Sequence, residues 1–222
     1  MKKTFFPLLA LMLMVSMEAM PQPPAHPLRV LRSWTHLEAM GDLNKDGIQD
    51  LAIIAVPPEQ APSSTPADEE DSDYREEPAP LLAIFWGTPQ GRFRPYKQYQ
   101  GIIPSGSNYC SYDRSINITE RGSLVVEYSL WCSAGSYGTS RDTFNFRYQN
   151  DDFFLIGYET EEFSRNTGNR IVDSYNFLTW RKQTVTVNEF DSDVPKKETW
   201  KKFAKKPLKR LGSFDFDSSI VD

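Results

Sequence analysis

Residues 110–132 read CSYDRSINITERGSLVVEYSLWC. A turn signal, Glu120-Arg121-Gly122, sits at the centre. Gly122 can take the left-handed backbone that a three-residue hairpin loop needs. Folding the chain about Arg121 sets Ile118 opposite Leu124, Ile116 opposite Val126, Arg114 opposite Tyr128 and Tyr112 opposite Leu130. These positions share one parity, and a strand's period of two puts them on one face. The next pair in the same register is Cys110 and Cys132. The spacing predicts an antiparallel hairpin closed by a cross-strand disulfide; two free buried thiols are the alternative.

Outward from this hairpin the same signals repeat. Leu28 to Trp34 is a candidate first strand, and Leu51 to Val56 is an unbroken apolar run of strand length. Leu81 to Trp86 is another, ended by Gly87-Thr88-Pro89, and a strand from Phe93 reaches about Tyr99. After the cysteine hairpin comes a small-residue loop, Ser133 to Ser140. Thr143 to Tyr148 and Phe153 to Tyr158 flank the turn Asn150-Asp151. With that turn at the centre, Phe144, Phe146 and Tyr148 share a face with Phe153, Leu155 and Gly157, and Gly157 lies opposite Phe144. A longer loop would turn Phe154 inward instead. Ser174 to Trp180 and Thr184 to Val187 read as a hairpin over Arg181-Lys182. Lys196 to Lys206 reads as a short helix, and Leu208 to Phe216 as a segment ending in a strand. Aromatic residues at 13%, with few helical periodicities, point to an all-β chain of antiparallel sheets.

The first residues read as an export signal. Lys2 and Lys3 precede an apolar core, Phe5 to Val15, too short for the roughly 20 residues of a spanning helix. The expected signal is residues 1–19, with cleavage at Ala19. No cysteine follows the apolar core to take a lipid anchor, and no later segment is apolar enough to cross a bilayer. The expected location is periplasmic or secreted, which suits a disulfide. Residues 20–101 form the expected first unit, interrupted by a mobile acidic insertion at 57–80 with carboxylates crowded from Asp68 to Glu77. Residues 102–222 form a β-rich region expected to pack with the first unit into one domain. A basic run from Lys196 to Arg210 balances the acidic one; each reads first as a solvated face. The formal net charge of −5 argues against nucleic acid as a partner.

One loop carries recognisable chemistry. Asp42, Asn44 and Asp46 alternate, Gly47 follows, and Asp50 lies directly before the apolar run. Alternate oxygen-bearing side chains around a glycine can wrap a hard cation such as calcium, which takes roughly six to eight oxygens. The twelfth position from Asp42 is Ile53, where an EF-hand has its glutamate, so the loop is not an EF-hand. A metal-free loop whose Asp side chains cap backbone turns is the alternative.

The spacing D-x-N-x-D-G-x-x-D-L before an apolar strand resembles the calcium loop of FG-GAP repeats, the blade units of integrin-type β-propellers. The resemblance covers about residues 28–99. It includes Gly87 after a strand and Gly91-Arg92-Phe93 at the position of the family's glycine-x-phenylalanine corner. It implies a propeller-blade-like N-terminal unit followed by further hairpins. It also implies a structural Ca2+ held by the side chains of Asp42, Asn44, Asp46 and Asp50 and by the Ile48 carbonyl. Only one such loop is present, whereas a closed propeller needs several blades, so a β-sandwich is the alternative architecture. The whole chain is similar to small exported proteins of Gram-negative bacteria with one such repeat. The similarity shows in Phe146-Arg147-Tyr148-Gln149-Asn150 followed by Phe153-Phe154-Leu155-Ile156-Gly157. It brings no catalytic residues with it.

The residue inventory leans away from an enzyme. His26 and His36 are the only histidines, which excludes a His-rich zinc site. There is no nucleophile elbow and no phosphate loop. Asp151-Asp152 and Glu161-Glu162 are adjacent pairs, and neighbours on a strand point to opposite faces. The expected function is an exported, calcium-stabilised binding or interaction protein. Its partner would be a protein or glycan of the cell envelope, with Tyr109, Tyr137 and Trp180 as exposed aromatic contacts. An inhibitor or immunity factor against a secreted toxin is one form of this. The competing expectation is a hydrolase of envelope glycans working through carboxylates distant in sequence.

Overall fold

A computed structural model of the chain describes residues 34–56, 79–107, 109–133 and 135–213. The expected export signal lies outside them. So do all but the last residue of the strand expected at Leu28 to Trp34, and nearly all of the acidic insertion. The strands in chain order are β1 (Thr35–Gly41), β2 (Asp50–Val56), β3 (Leu81–Gly87) and β4 (Phe93–Gln100). They continue as β5 (Cys110–Ile118), β6 (Ser123–Cys132), β7 (Gly138–Gln149), β8 (Asp152–Ser164), β9 (Asn169–Asn176), β10 (Arg181–Asn188) and β11 (Lys197–Lys202). Every pairing joins strands adjacent in sequence. Among the described residues the result is two antiparallel meanders, one of four strands (β1 to β4) and one of seven (β5 to β11). The fold is thus all-β, with a sandwich-like pair of sheets; no propeller forms among the described residues.

The cysteine hairpin forms in the register read from the sequence, from Ile118 opposite Leu124 to Cys110 opposite Cys132. Cys110 and Cys132 are disulfide-bonded, with Cα atoms 4.1 Å apart. Its inward residues Leu124, Val126 and Tyr128 join Phe144, Phe146, Phe153 and Leu155 of the neighbouring strands. These meet Ala52, Ile54, Leu82, Ile84 and Trp86 from the smaller sheet, and Leu43 from the loop between β1 and β2, in one core. The opposite face of β2 and β3 is also apolar: Leu51, Ile53, Ala55, Ala83 and Phe85 form a second buried cluster. Burial on both faces explains why residues 51–56 lack polar alternation.

Three local expectations are corrected. The Asn150-Asp151 turn forms, with both residues in the left-handed region as a two-residue hairpin loop requires. Phe153 is buried as expected. A bulge then shifts the register after Phe146, so Gly157 faces Asn145 and Tyr158 faces Phe144. The Phe144 and Tyr158 rings stack at 5.0 Å, which exchanges a bare glycine for an aromatic neighbour.

The next hairpin turns earlier than Arg181-Lys182. Asn176 Oδ1 accepts the N–H groups of Leu178 and Thr179, and the Asn176 carbonyl accepts that of Trp180. The turn therefore closes over residues 177–180, and Arg181 already belongs to β10. Lys197–Lys202 is a strand, not a helix, because the open edge of β10 offers it a ladder. The end of the segment expected over Leu208 to Phe216, where the strand is expected, lies outside the described residues; its described part packs onto β8. The Lys209 carbonyl accepts Leu155 N–H at 2.9 Å, a bridge joins Phe154 to Arg210, and Leu211–Ser213 forms a 3-10 turn with Leu211 fully buried.

Candidate functional site

The acidic loop sits where the two sheets meet. Lys45 and Gly47 both take left-handed backbone, which curls residues 42–47 into a tight turn. Asp42 accepts Asp46 N–H at 3.1 Å and Gly47 N–H at 2.9 Å. Asn44 Oδ1 accepts Asp46 N–H at 3.0 Å, and Asp46 Oδ1 accepts Ile48 N–H at 2.8 Å. The Asn44 amide donates to Asp46 Oδ2 at 3.1 Å. A Cβ on Gly122 would strike the Asp42 carbonyl, and one on Gly87 would strike the Gln49 carbonyl. The loop is thus clasped between β3 and the turn of the disulfide hairpin.

Asp50 has a different place. It is fully buried, with 0% exposure. One carboxylate oxygen accepts Leu43 N–H at 2.9 Å and Asn44 N–H at 3.3 Å; the other accepts Gly87 N–H at 2.9 Å. Burial pushes its pKa above the ordinary 3.8, and Asp46 adds to the push. The three N–H bonds oppose the rise but do not cancel it.

By chemistry the donors suit a hard cation: the carboxylates of Asp42 and Asp46, the Asn44 amide oxygen and the Ile48 carbonyl lie on one turn. By arrangement the loop is already satisfied by its own N–H groups. Among the described residues no group of three or more His, Cys, Asp or Glu converges as a metal site.

The aromatic candidates separate. Tyr137 is 69% exposed and Tyr109 is also exposed. Trp180, expected at the surface, is half-buried against Phe177 and Phe203, with ring centroids 6.0 and 5.3 Å away. Sequence reasoning missed Trp131 and Arg165. Trp131 is exposed because it has outward parity in the hairpin, a signal already present in the register. The Arg165 guanidinium lies 5.5 Å from the Trp131 ring centroid. It donates to the carbonyls of Cys132, Ser136 and Tyr137 at 3.2, 2.8 and 3.2 Å. Ser133 N–H donates to the Tyr109 carbonyl at 2.9 Å. Tyr109 and Trp131 therefore flank the two cysteines in sequence, Tyr137 follows on the next loop, and Arg165 fixes the chain from Cys132 to Tyr137.

Cavities include one of about 410 Å³ beside the loop, where Asp42 and Glu120 face Lys45, Arg121 and Arg147. Another, of about 390 Å³, lies between β4 and the 3-10 turn, with Lys97, Arg210 and Asp152 in its wall. Asp50, the buried carboxylate with the raised pKa, lines neither. Among the described residues no helix is long and apolar enough to cross a membrane. No protein-family model matches the chain, and neither a curated protein nor a solved structure matches it.

Proposed function

We propose that this chain is an exported interaction protein that meets a protein or glycan of the cell envelope through the aromatic end of its larger sheet. One observation carries the reading: Tyr109, Trp131 and Tyr137 stand exposed at the disulfide end, and Arg165 holds the Trp131 ring and the backbone of Cys132, Ser136 and Tyr137. Large aromatic rings on ordered backbone lose little conformational entropy on binding and bury much area. Residues 1–19 act as the export signal, and the disulfide suits an oxidising compartment. An inhibitor or immunity factor is the form this function takes if the partner is a secreted toxin.

The test is capture from envelope extract by the mature protein, beside a Trp131→Ala/Tyr137→Ala variant of equal melting temperature. A partner held by the parent and lost by the variant supports the reading. Equal capture by both, or release of sugar fragments from envelope glycan, favours the hydrolase reading or another surface.

In the same reading the acidic loop works as an FG-GAP-like calcium loop. Asp42, Asn44, Asp46 and the Ile48 carbonyl would hold the ion, and Asp50 would brace the loop from behind through its three N–H bonds. Calcium would stabilise the junction of the sheets without taking part in chemistry. Adding calcium should raise the melting temperature, and Asp46→Ala should abolish the rise. Identical melting of chelated and calcium-loaded protein would remove the ion from the account.

A further inference from the structure

At the far edge of the larger sheet lies a second surface. Among the described residues β11 is the edge strand, and across its ladder with β10 Gln183 faces Trp200 and Arg181 faces Lys202. Strand parity puts these four side chains on one face. Trp200 is 59% exposed, yet its ring is held. The indole Nε1–H donates to Glu198 Oε1 at 2.8 Å, and the Gln183 amide donates to the same oxygen at 2.9 Å. These two bonds keep the Glu198 carboxyl below its usual range. Glu198 is the only acid between Lys196 and Arg210, so the one negative charge of the run serves to orient the indole. Like charges directly opposite in a ladder repel. Arg181 and Lys202 are such a pair, and among the described residues neither makes an ion pair. On the other face Lys182 opposes Lys201, but Lys182 is engaged by Asp173 at 2.6 Å.

We propose that Trp200, Gln183, Arg181 and Lys202 form a binding site for an acidic sugar unit of a linear anionic polysaccharide. The C–H face of a pyranose fits the electron-rich face of the fixed indole. The acidic group then sits between Arg181 and Lys202, where the guanidinium offers a two-pronged contact and the cationic repulsion is relieved. Exposed Lys196, Lys197, Lys201, Lys205 and Lys206 extend the positive field towards neighbouring units. A nucleic acid, with a phosphate on every unit, is disfavoured by the net charge of −5. A lipid surface calls for an amphipathic helix or broad apolar patch, whereas this is a strand edge with one aromatic ring. The site is independent of the disulfide end, and its failure would leave that reading standing.

The test is calorimetric titration of the mature chain with short oligogalacturonate, at low and at physiological salt. Neutral maltooligosaccharide, a single-stranded oligonucleotide and anionic vesicles serve as comparators. Oligogalacturonate should bind best. Trp200→Ala should weaken it about tenfold, the scale of losing one aromatic stacking contact, while Trp200→Phe retains most of the affinity. Arg181→Gln and Lys202→Gln should each weaken binding and flatten its salt dependence. Circular dichroism and melting temperature confirm that each variant is folded. No binding of oligogalacturonate, unchanged affinity in folded Trp200→Ala, or tighter binding of the oligonucleotide or vesicles would each overturn the proposal.

Discussion

Asp50 commits both carboxylate oxygens to backbone N–H groups from two separate places, the start of its own loop and the end of β3. A buried N–H left without an acceptor costs roughly 1–3 kcal/mol. Asp50→Ala strands three of them at once, so it should lower stability by about 3 kcal/mol or more in denaturant unfolding. Asp50→Asn keeps one acceptor oxygen but aims an amide donor at another N–H, and should fall between the two. If Asp50→Ala melts like the parent, the carboxylate does not anchor the loop. The pH sign follows from the raised pKa. Folded Asp50 takes up a proton at higher pH than unfolded Asp50, so its contribution to stability falls as pH rises through the interval above 3.8. The sequence made the loop legible because alternation and the glycine are local patterns. It could not separate Asp50 from Asp42 and Asp46, because burial comes from the approach of Gly87, 37 positions away.

The disulfide hairpin of β5 and β6 was the most legible element, and the reason is geometric. A short turn fixes register, and a single parity then carries the whole face to the cysteines. The crosslink lies 22 positions apart in sequence. Restricting an unfolded loop of that length is worth about 3 kcal/mol in the chain-entropy view. A Cys110→Ala/Cys132→Ala variant should therefore unfold at lower denaturant concentration by about that free energy, with its strand content intact. An unchanged midpoint would show that the hairpin faces alone set the stability. Elements that depended on neighbours were less legible. The bulge in β8 places Tyr158 over Phe144, and β11 forms because β10 has an open edge. The turn before β10 depends on Asn176, whose side chain accepts the N–H groups of Leu178 and Thr179 and whose carbonyl accepts that of the left-handed Trp180. None of these has a periodic signature in its own residues; each is decided by what lies beside it.

Across the whole molecule, tyrosines tie the core to the protonation state of the protein. Tyr128 and Tyr99 are buried in the shared core, and the Tyr99 hydroxyl has no hydrogen-bond partner among the described residues. Tyr158 donates its hydroxyl to Asp142 at 2.5 Å. Burial pushes the pKa of Tyr99, Tyr128 and Tyr158 well above the ordinary 10.0, and that of Tyr96 up to about 12. Tyr96 also binds the two sheets together, donating its hydroxyl to the Asp151 carbonyl at 2.8 Å and packing 4.5 Å from Trp86. Each group has its folded pKa raised, so its stabilising contribution is fully present below 10.0 and is lost as pH rises through the folded value. The unfolded chain releases these protons first. Each tyrosine held protonated should then steepen the loss of stability by about 1.4 kcal/mol per pH unit. Denaturant melts at stepped alkaline pH, followed by phenolate absorbance and circular dichroism, should show these phenols ionising only as the sheets unfold. Tyr128→Phe and Tyr158→Phe should each reduce the alkaline slope, provided they melt near the parent temperature at neutral pH. Reversible ionisation of all the phenols near the ordinary value, with native circular dichroism retained, would mean that solvent reaches between the two sheets and that the shared core is not closed.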